Sequence, residues 1–89
     1  VRSRRQRQMC IRDRVDKAEQ LLLDLGFHQV RVRIHGMMAR IEIDPSEFAM
    51  LMEENNRMKI TGEFKKYGFT YVSLDLMGYR TGSMNEVLQ

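Results

Sequence analysis

The sequence predicts an α+β fold in which helices cover one face of a small sheet. Apolar residues recur at the three-and-four spacing of a helix before residue 26 and again after residue 47. Between these regions, residues 29–43 alternate apolar and polar side chains around a two-residue turn, which is typical of a β-hairpin. A second alternating stretch, residues 71–76, gives the order helix, strand, strand, helix, strand.

The first predicted element is a helix over residues 15–25. Its apolar stripe consists of Val15, Ala18, Leu21, Leu22 and Leu25. Gly26 stands where a left-handed helix terminator belongs, and Phe27 can close the end with an apolar contact.

The hairpin has one register that puts all its apolar side chains on one face. A turn at Gly36-Met37 pairs Ile34 with Ala39, Val32 with Ile41 and Val30 with Ile43. A slip of one residue would move the apolar set to the opposite face. The same register predicts that the other face places Arg33 opposite Arg40 and Arg31 opposite Glu42.

Opposed arginines make this polar hairpin face the best candidate for a site. Like charges directly opposite on a sheet are destabilising, so Arg33 across from Arg40 favours a compensating anion. Guanidinium groups match phosphate or carboxylate oxygens in two-point contacts, and Glu42 could orient Arg31 or bind a metal that accompanies a phosphate. The alternative is a solvated face whose long side chains splay apart.

The second helical region is expected to begin at a strong start signal and then to be interrupted. Asp44-Pro45-Ser46-Glu47 combines an Asp cap, Pro in the first position and Glu in the third. Asn55-Asn56 and Gly62 predict either a kink or two helices before Gly68, the next terminator. In the last strand, Val72, Leu74 and Leu76 are predicted to face inward, and the repeated helix-to-strand junctions favour a half-built split βαβ arrangement.

The basic charge of the chain is concentrated in its first residues. The chain has 89 residues and a net charge of +3, yet residues 1–14 hold six arginines against Asp13, and the remainder has more acidic than basic side chains. This distribution argues against a nucleic-acid partner.

The string QMCIRDR is typical of translated sequencing-adapter read-through in metagenomic protein predictions. We therefore interpret residues 1–14 as a disordered, non-native head and residues 15–89 as the native domain. A solvated tail and a basic arm are the alternatives.

Composition excludes several other classes of protein. A single Cys rules out a disulfide framework and leaves too few ligands for a structural zinc site. No apolar run is long enough to span a membrane or to form the middle of a signal peptide, so we expect a cytoplasmic protein with no membrane partner.

Three stretches of the sequence carry a family resemblance: VRVRIHGMMARIEI, KKYGFTYVSLDL and GYRTGSMNEVL. Together they resemble the C-terminal part of the ATP-dependent sacrificial sulfur transferases, the LarE family. The resemblance covers residues 15–89, and the paired-Arg hairpin followed by LDL-x-GYR-[ST]-GSMNE is its most specific part. The two methionines after Gly36 and the glycine at Gly62 depart from the family pattern at positions that affect fold details and not the site.

The resemblance implies that residues 15–89 are a C-terminal substrate-binding fragment of an ATP-pyrophosphatase-type α/β enzyme. Such enzymes mature the nickel-pincer nucleotide cofactor of lactate racemase. An N-terminal domain with an SGG-x-DS loop binds ATP and Mg and adenylylates a carboxylate of a pyridinium biscarboxylate mononucleotide. A protein cysteine, or in some relatives an iron–sulfur cluster, then supplies the sulfur. The loop and the donor Cys lie upstream of this chain, so the resemblance implies no catalytic residue here and an inactive isolated fragment.

The resemblance also implies roles for particular residues. Arg31 and Arg33 would bind the phosphate of the mononucleotide, and Glu42 and Glu19 would be metal or substrate contacts. Arg40 belongs to the motif without an assigned role, and the identity of any metal stays open. The expected partners are the mononucleotide, the N-terminal domain and further copies of the chain in a homo-oligomer.

Two other functions are compatible with the same residues. One is a distant ATP-pyrophosphatase relative that thiolates or amidates another carboxylate. The other is a non-enzymatic α+β module that binds anions or takes part in assembly. Upstream sequence with an SGG-x-DS loop and a downstream Cys would favour the sulfur transferase.

Overall fold

The structure is a computed structural model that describes residues 10–79, and these residues form an α+β fold as predicted. In chain order the elements are α1 (Ile11–Asp24), β1 (Val30–His35), β2 (Met38–Ile43), a 3-10 helix (Pro45–Glu47), α2 (Phe48–Met52), α3 (Glu54–Lys66) and β3 (Tyr71–Leu74). Within these residues, no helix is long and apolar enough to cross a membrane.

The three strands form one mixed sheet in the order β1-β2-β3. β1 and β2 are antiparallel in the predicted register, with Val32 opposite Ile41 and Arg33 opposite Arg40. β3 runs parallel to β2 and lies directly beside it. Since no strand separates β2 from β3, their helical connection is an ordinary βαβ crossover, and the expected split arrangement is wrong.

The helices pack on the apolar face of the sheet and form the core there. Phe64 of α3 and Leu22 of α1 are fully buried, and Ile41 and Ile43 of β2 meet them from the sheet. The remaining buried apolar side chains are Ala18, Phe27, Val32, Ala39, Leu51, Ile60 and Phe69. Burial of one strand face against helices explains why the hairpin register is unique.

Both helix-to-strand junctions end in the same way. Gly26 and Gly68 have φ values of 110° and 106°, which favour glycine. The backbone N–H of Phe27 donates to Leu22 O, and that of Phe69 donates to Phe64 O. Each phenylalanine is buried at 2% exposure, so each glycine turn sends an aromatic anchor into the core.

Helix α1 begins earlier than the sequence predicts. It starts at Ile11, and the Sγ atom of its cap Cys10 accepts a hydrogen bond from Asp13 N at 3.4 Å. The predicted start at Val15 is therefore wrong by four residues, and residues 11–14 are helical rather than disordered. A helix that is already nucleated extends easily, because each added residue forms one more backbone hydrogen bond. Residues 1–9 lie outside the described residues, and the origin of the head stays a prediction.

The second helical region consists of two helices, one of the two predicted outcomes. The break falls at Glu53, where ψ is 140°, and not at the asparagines or at Gly62. Asn56 contributes by donating from its side chain to Met50 O at 2.8 Å, which satisfies a carbonyl at the end of α2. At the start, Asp44 caps the 3-10 helix by accepting from Ser46 N at 2.9 Å, and this hydrogen bond lowers the pKa of Asp44.

The last strand is shorter than predicted. β3 ends at Leu74, and Leu76, which the alternation placed inward, is 78% exposed. The Leu76 side chain lies outside the core because the chain turns after Leu74. In this turn the Asp75 side chain accepts a hydrogen bond from Met77 N, and the Asp75 backbone carbonyl accepts one from Gly78 N. Gly78 has a φ of 83° and packs so closely that a Cβ would lie 2.8 Å from Pro45 Cγ.

Candidate anion-binding site on the polar face of the sheet

The face of the sheet opposite the core carries a cluster of charged side chains. The polar face, as we call it, is formed by Arg31 and Arg33 of β1, Arg40 and Glu42 of β2, Ser73 of β3 and Asp75 just beyond it. Strand alternation turns these side chains away from the helices. Parallel pairing of Arg40 with Ser73 brings the end of β3 beside the hairpin arginines.

Glu42 lies at the centre of this cluster and is buried, with only 6% of the residue exposed. Its Oε2 atom is 3.4 Å from Arg33 Nε and 3.4 Å from Arg40 Nη2. The carboxylate therefore stands between the two opposed arginines and reduces their mutual repulsion. The expectation that Glu42 orients Arg31 is wrong, since the ion pairs of Glu42 are with the other two arginines.

Asp75 is a second carboxylate on this face. Its Oδ2 atom lies 3.7 Å from Arg40 Nε, while its Oδ1 accepts a hydrogen bond from Met77 N at 2.9 Å. The turn after β3 thus fixes Asp75 in position beside Arg40. Asp75 was not among the predicted site residues, because sequence spacing alone does not reveal the direct pairing of β2 with β3.

Arg31 has a different neighbour from the other two arginines. Its guanidinium carbon lies 6.0 Å from the centre of the Tyr79 ring, a cation–π distance. Tyr79 reaches this position because its backbone N–H donates to Ile43 O at 2.7 Å, beyond the Gly78 turn. Tyr79 belongs to the GYR motif of the sequence, but nothing in the sequence pointed to Arg31 as its neighbour.

The cluster holds more positive than negative charge. Three guanidinium groups face two carboxylates, and the closest ion pairs, at 3.4 Å, are longer than the 2.7–2.9 Å typical of charge-assisted hydrogen bonds. The Nε atoms of Arg33 and Arg40 are buried, and within residues 10–79 neither forms a hydrogen bond. The side chains of Arg33 and Arg40 remain 42% and 35% accessible, so their exposed donors can bind an anion.

Glu19, the remaining candidate residue, contacts the edge of the sheet. Its Oε2 atom accepts from Val32 N at 2.9 Å, which satisfies a backbone donor on the outer side of β1. The role of Glu19 as a metal or substrate contact stays a prediction.

No metal centre is found within the described residues. Residues 10–79 contain no group of three or more His, Cys, Asp or Glu side chains that could hold a metal ion. The GYRTGSMNEVL stretch that contributes to the resemblance is described only through Tyr79, and the rest of it lies outside the described residues. The arginine cluster is accordingly the site that this part of the chain defines.

Fold and site together define a small α+β domain with an open, arginine-rich sheet face. No family model matches the chain. It is 41% identical over 75 residues, 84% of its length, to an uncharacterised protein of Synechocystis. It is also 42% identical over 71 residues, 80% of its length, to the pyridinium-3,5-bisthiocarboxylic acid mononucleotide synthase of Lactiplantibacillus plantarum.

The second match confirms the resemblance found in the sequence: over the matched stretch the chain is similar to the C-terminal part of a LarE-type synthase. The chain spans about a quarter of these relatives, 28% of the first and 25% of the second.

Proposed function

We propose that this chain is the substrate-phosphate-binding part of an ATP-dependent sulfur transferase of the LarE type. The full-length protein would adenylylate and thiolate a pyridinium biscarboxylate mononucleotide during nickel-pincer cofactor biosynthesis. Support comes from the similarity to a synthase whose name specifies the bisthiocarboxylic acid mononucleotide.

One observation carries the assignment of the phosphate to this chain. Arg31 and Arg33 extend from the same face of β1, and Arg33 lies opposite Arg40. Arg31 is exposed, and 42% of the Arg33 side chain is accessible, so both can reach a ligand in solvent. A guanidinium group binds a phosphate through two parallel hydrogen bonds, which makes an arginine pair well suited to a mononucleotide.

The chemistry of activation and sulfur transfer would belong to the rest of the full-length protein. Residues 10–79 have no group of three or more His, Cys, Asp or Glu side chains that could hold a metal ion, and the sequence contains no SGG-x-DS loop for ATP. The single Cys of the chain is Cys10, in the head, and residues 15–89 have no thiol to donate sulfur. We therefore expect no release of pyrophosphate from ATP by this chain alone.

A non-enzymatic anion-binding module is the second candidate. The observation in its favour is that the site lies on the sheet of a small domain and is assembled without any group that performs chemistry. The two proposals differ in what an Arg33 variant does to turnover, since a module without activity has no turnover to lose.

The test is Arg33→Lys in the full-length protein, with ATP-dependent thiolation of the mononucleotide as the readout. Lysine keeps the charge but loses the two-point fork, so the KM for the mononucleotide should rise several-fold while kcat changes little. Arg33→Ala should raise KM about tenfold to a hundredfold, because a charge-assisted hydrogen bond contributes roughly 1.5–3 kcal/mol.

Arg57→Lys is the matched control, since Arg57 is exposed on α3, which packs on the other face of the sheet. Its kinetics should equal those of the unchanged protein. An unaltered KM for Arg33→Ala, accompanied by a less stable fold, would show that the arginine is structural and would contradict the proposal.

A further inference from the structure

Arg40 is the member of the cluster that has no role so far. It lies on β2 directly opposite Arg33, where opposed side chains have Cβ atoms about 4.5–5.5 Å apart. About a third of its side chain, 35%, is accessible. A ligand that reaches Arg33 on this face is therefore within reach of Arg40 as well.

Two carboxylates hold the Arg40 guanidinium without satisfying it. Glu42 Oε2 lies 3.4 Å from Nη2, and Asp75 Oδ2 lies 3.7 Å from Nε. Despite this proximity, Nε is buried without a hydrogen bond within the described residues. The group is thus positioned from two sides and keeps donor capacity that a further acceptor could use.

Glu42 has too few acceptor atoms for its neighbours, because one carboxylate oxygen is shared between two arginines. The same Oε2 atom serves Arg33 and Arg40, each at 3.4 Å. A ligand anion on this face competes for the same donors. A dianion is favoured over a monoanion, because three guanidinium groups face only two carboxylates.

We propose that Arg40 is the third guanidinium group of the anion site, positioned by Asp75, and that Glu42 is an internal counter-ion which a bound phosphate partly replaces. The proposal rests on the proposed function, in which Arg31 and Arg33 bind the phosphate. It extends that function by adding a contact from the second strand of the hairpin, so that the phosphate dianion is held from both β1 and β2.

Inorganic phosphate is the probe, and its binding to the full chain is measured by isothermal titration calorimetry. Arg40→Gln should weaken phosphate binding about tenfold, since a hydrogen bond to a charged group contributes roughly 1.5 kcal/mol or more. Glu42→Gln should strengthen it, because an internal competitor is removed. Arg12→Gln removes the same charge from α1 and should leave the dissociation constant unchanged.

A double-mutant cycle separates direct contact from an effect through Glu42. If Arg40 contacts the ligand, Arg40→Gln weakens phosphate binding in the Glu42→Gln background as well. If Arg40 acts only by engaging Glu42, its effect disappears in that background, and the proposal is overturned. Should Arg40→Gln fail to fold, Arg40→Lys retains the charge and should still bind phosphate several-fold more weakly.

Failure of this proposal differs from failure of the proposed function. If Arg33→Ala abolishes phosphate binding while both Arg40 variants bind like the unchanged chain, only the role of Arg40 is wrong. If Arg33→Ala also binds phosphate normally, or if the unchanged chain shows no saturable binding, the phosphate site itself is wrong.

Discussion

The two faces of the sheet are built from alternating residues of the same strands, yet they obey different physical rules. On the apolar face, side chains such as Ile41 and Phe64 are buried almost completely, and any neighbour of suitable size and shape can stabilise them. On the polar face, stability depends on specific pairing of opposite charges, and Glu42 forms ion pairs with two arginines at once. A face that packs fully has no capacity left for a ligand, whereas a face with unsatisfied donors does.

The largest expected effect comes from breaking the apolar face. Phe64→Ala removes a side chain with no exposed surface and leaves a cavity, so it should lower the free energy of unfolding by about 3–5 kcal/mol. Tyr71→Ala is the matched control, because Tyr71 is 66% exposed on the polar side of β3 and its loss should change stability by under about 0.5 kcal/mol. Urea unfolding measures both, and equal losses would contradict the difference between the faces.

Glu42→Gln tests the polar face itself. Removal of one partner from a buried ion pair is destabilising by about 3–5 kcal/mol, but both arginines here are partly exposed, so we expect about 1–3 kcal/mol. Added phosphate should recover part of this loss, as measured by the thermal midpoint. A variant as stable as the unchanged chain would mean that Glu42 is not the counter-ion.

The turn that brings Tyr79 to Arg31 is tested by comparing Gly78, which lies in it, with Gly62, which lies in a helix. Gly78→Ala should destabilise by about 1–3 kcal/mol, because its φ is 83° and the new Cβ would meet Pro45 Cγ at 2.8 Å. Gly62→Ala, in the interior of α3 with no atom within 4 Å of the new Cβ, should stabilise by about 0.5–1 kcal/mol. Chemical denaturation measures both variants, and a Gly78→Ala variant as stable as the unchanged chain would show that the turn does not need glycine.

The smallest effect concerns Asp44, a carboxylate that is fixed by the backbone and not by arginines. Its hydrogen bond from Ser46 N lowers its pKa, so the ionised cap stabilises the fold above pH about 4, and this contribution is lost as the pH falls further. Asp44→Asn should therefore be less stable than the unchanged chain at pH 7, and the gap should narrow at pH 3. A gap between the thermal midpoints that does not depend on pH would contradict this assignment.

How far the sequence predicts the molecule also differs between the faces. The hairpin register follows from apolar alternation alone, because burial of Val32 and Ile41 makes any slip costly. Helix ends at Gly26 and Gly68 are equally local signals. Leu76 was misassigned because alternation continues in the sequence after the backbone has already turned at Asp75.

The polar face could be predicted only in part. Which hairpin residues lie on this face follows from the register. The ion-pair partners of Glu42 depend on the side-chain conformations of the arginines, which sequence spacing does not determine. Asp75 and Tyr79 join the cluster through the parallel pairing of β3 and the turn after it, which are long-range features. The start of α1 was missed for a related reason: the Cys10 cap is a weak signal in a segment without apolar periodicity.

The central claim, that the polar face binds phosphate and the apolar face only builds the core, is tested most directly by NMR. Inorganic phosphate is titrated into the chain, labelled with nitrogen-15, at constant ionic strength set with chloride. The account predicts saturable shifts of the Nε–Hε resonances of Arg33 and Arg40, with no shift at Arg12. Shifts of equal size at all three arginines, or none at the first two, would contradict it.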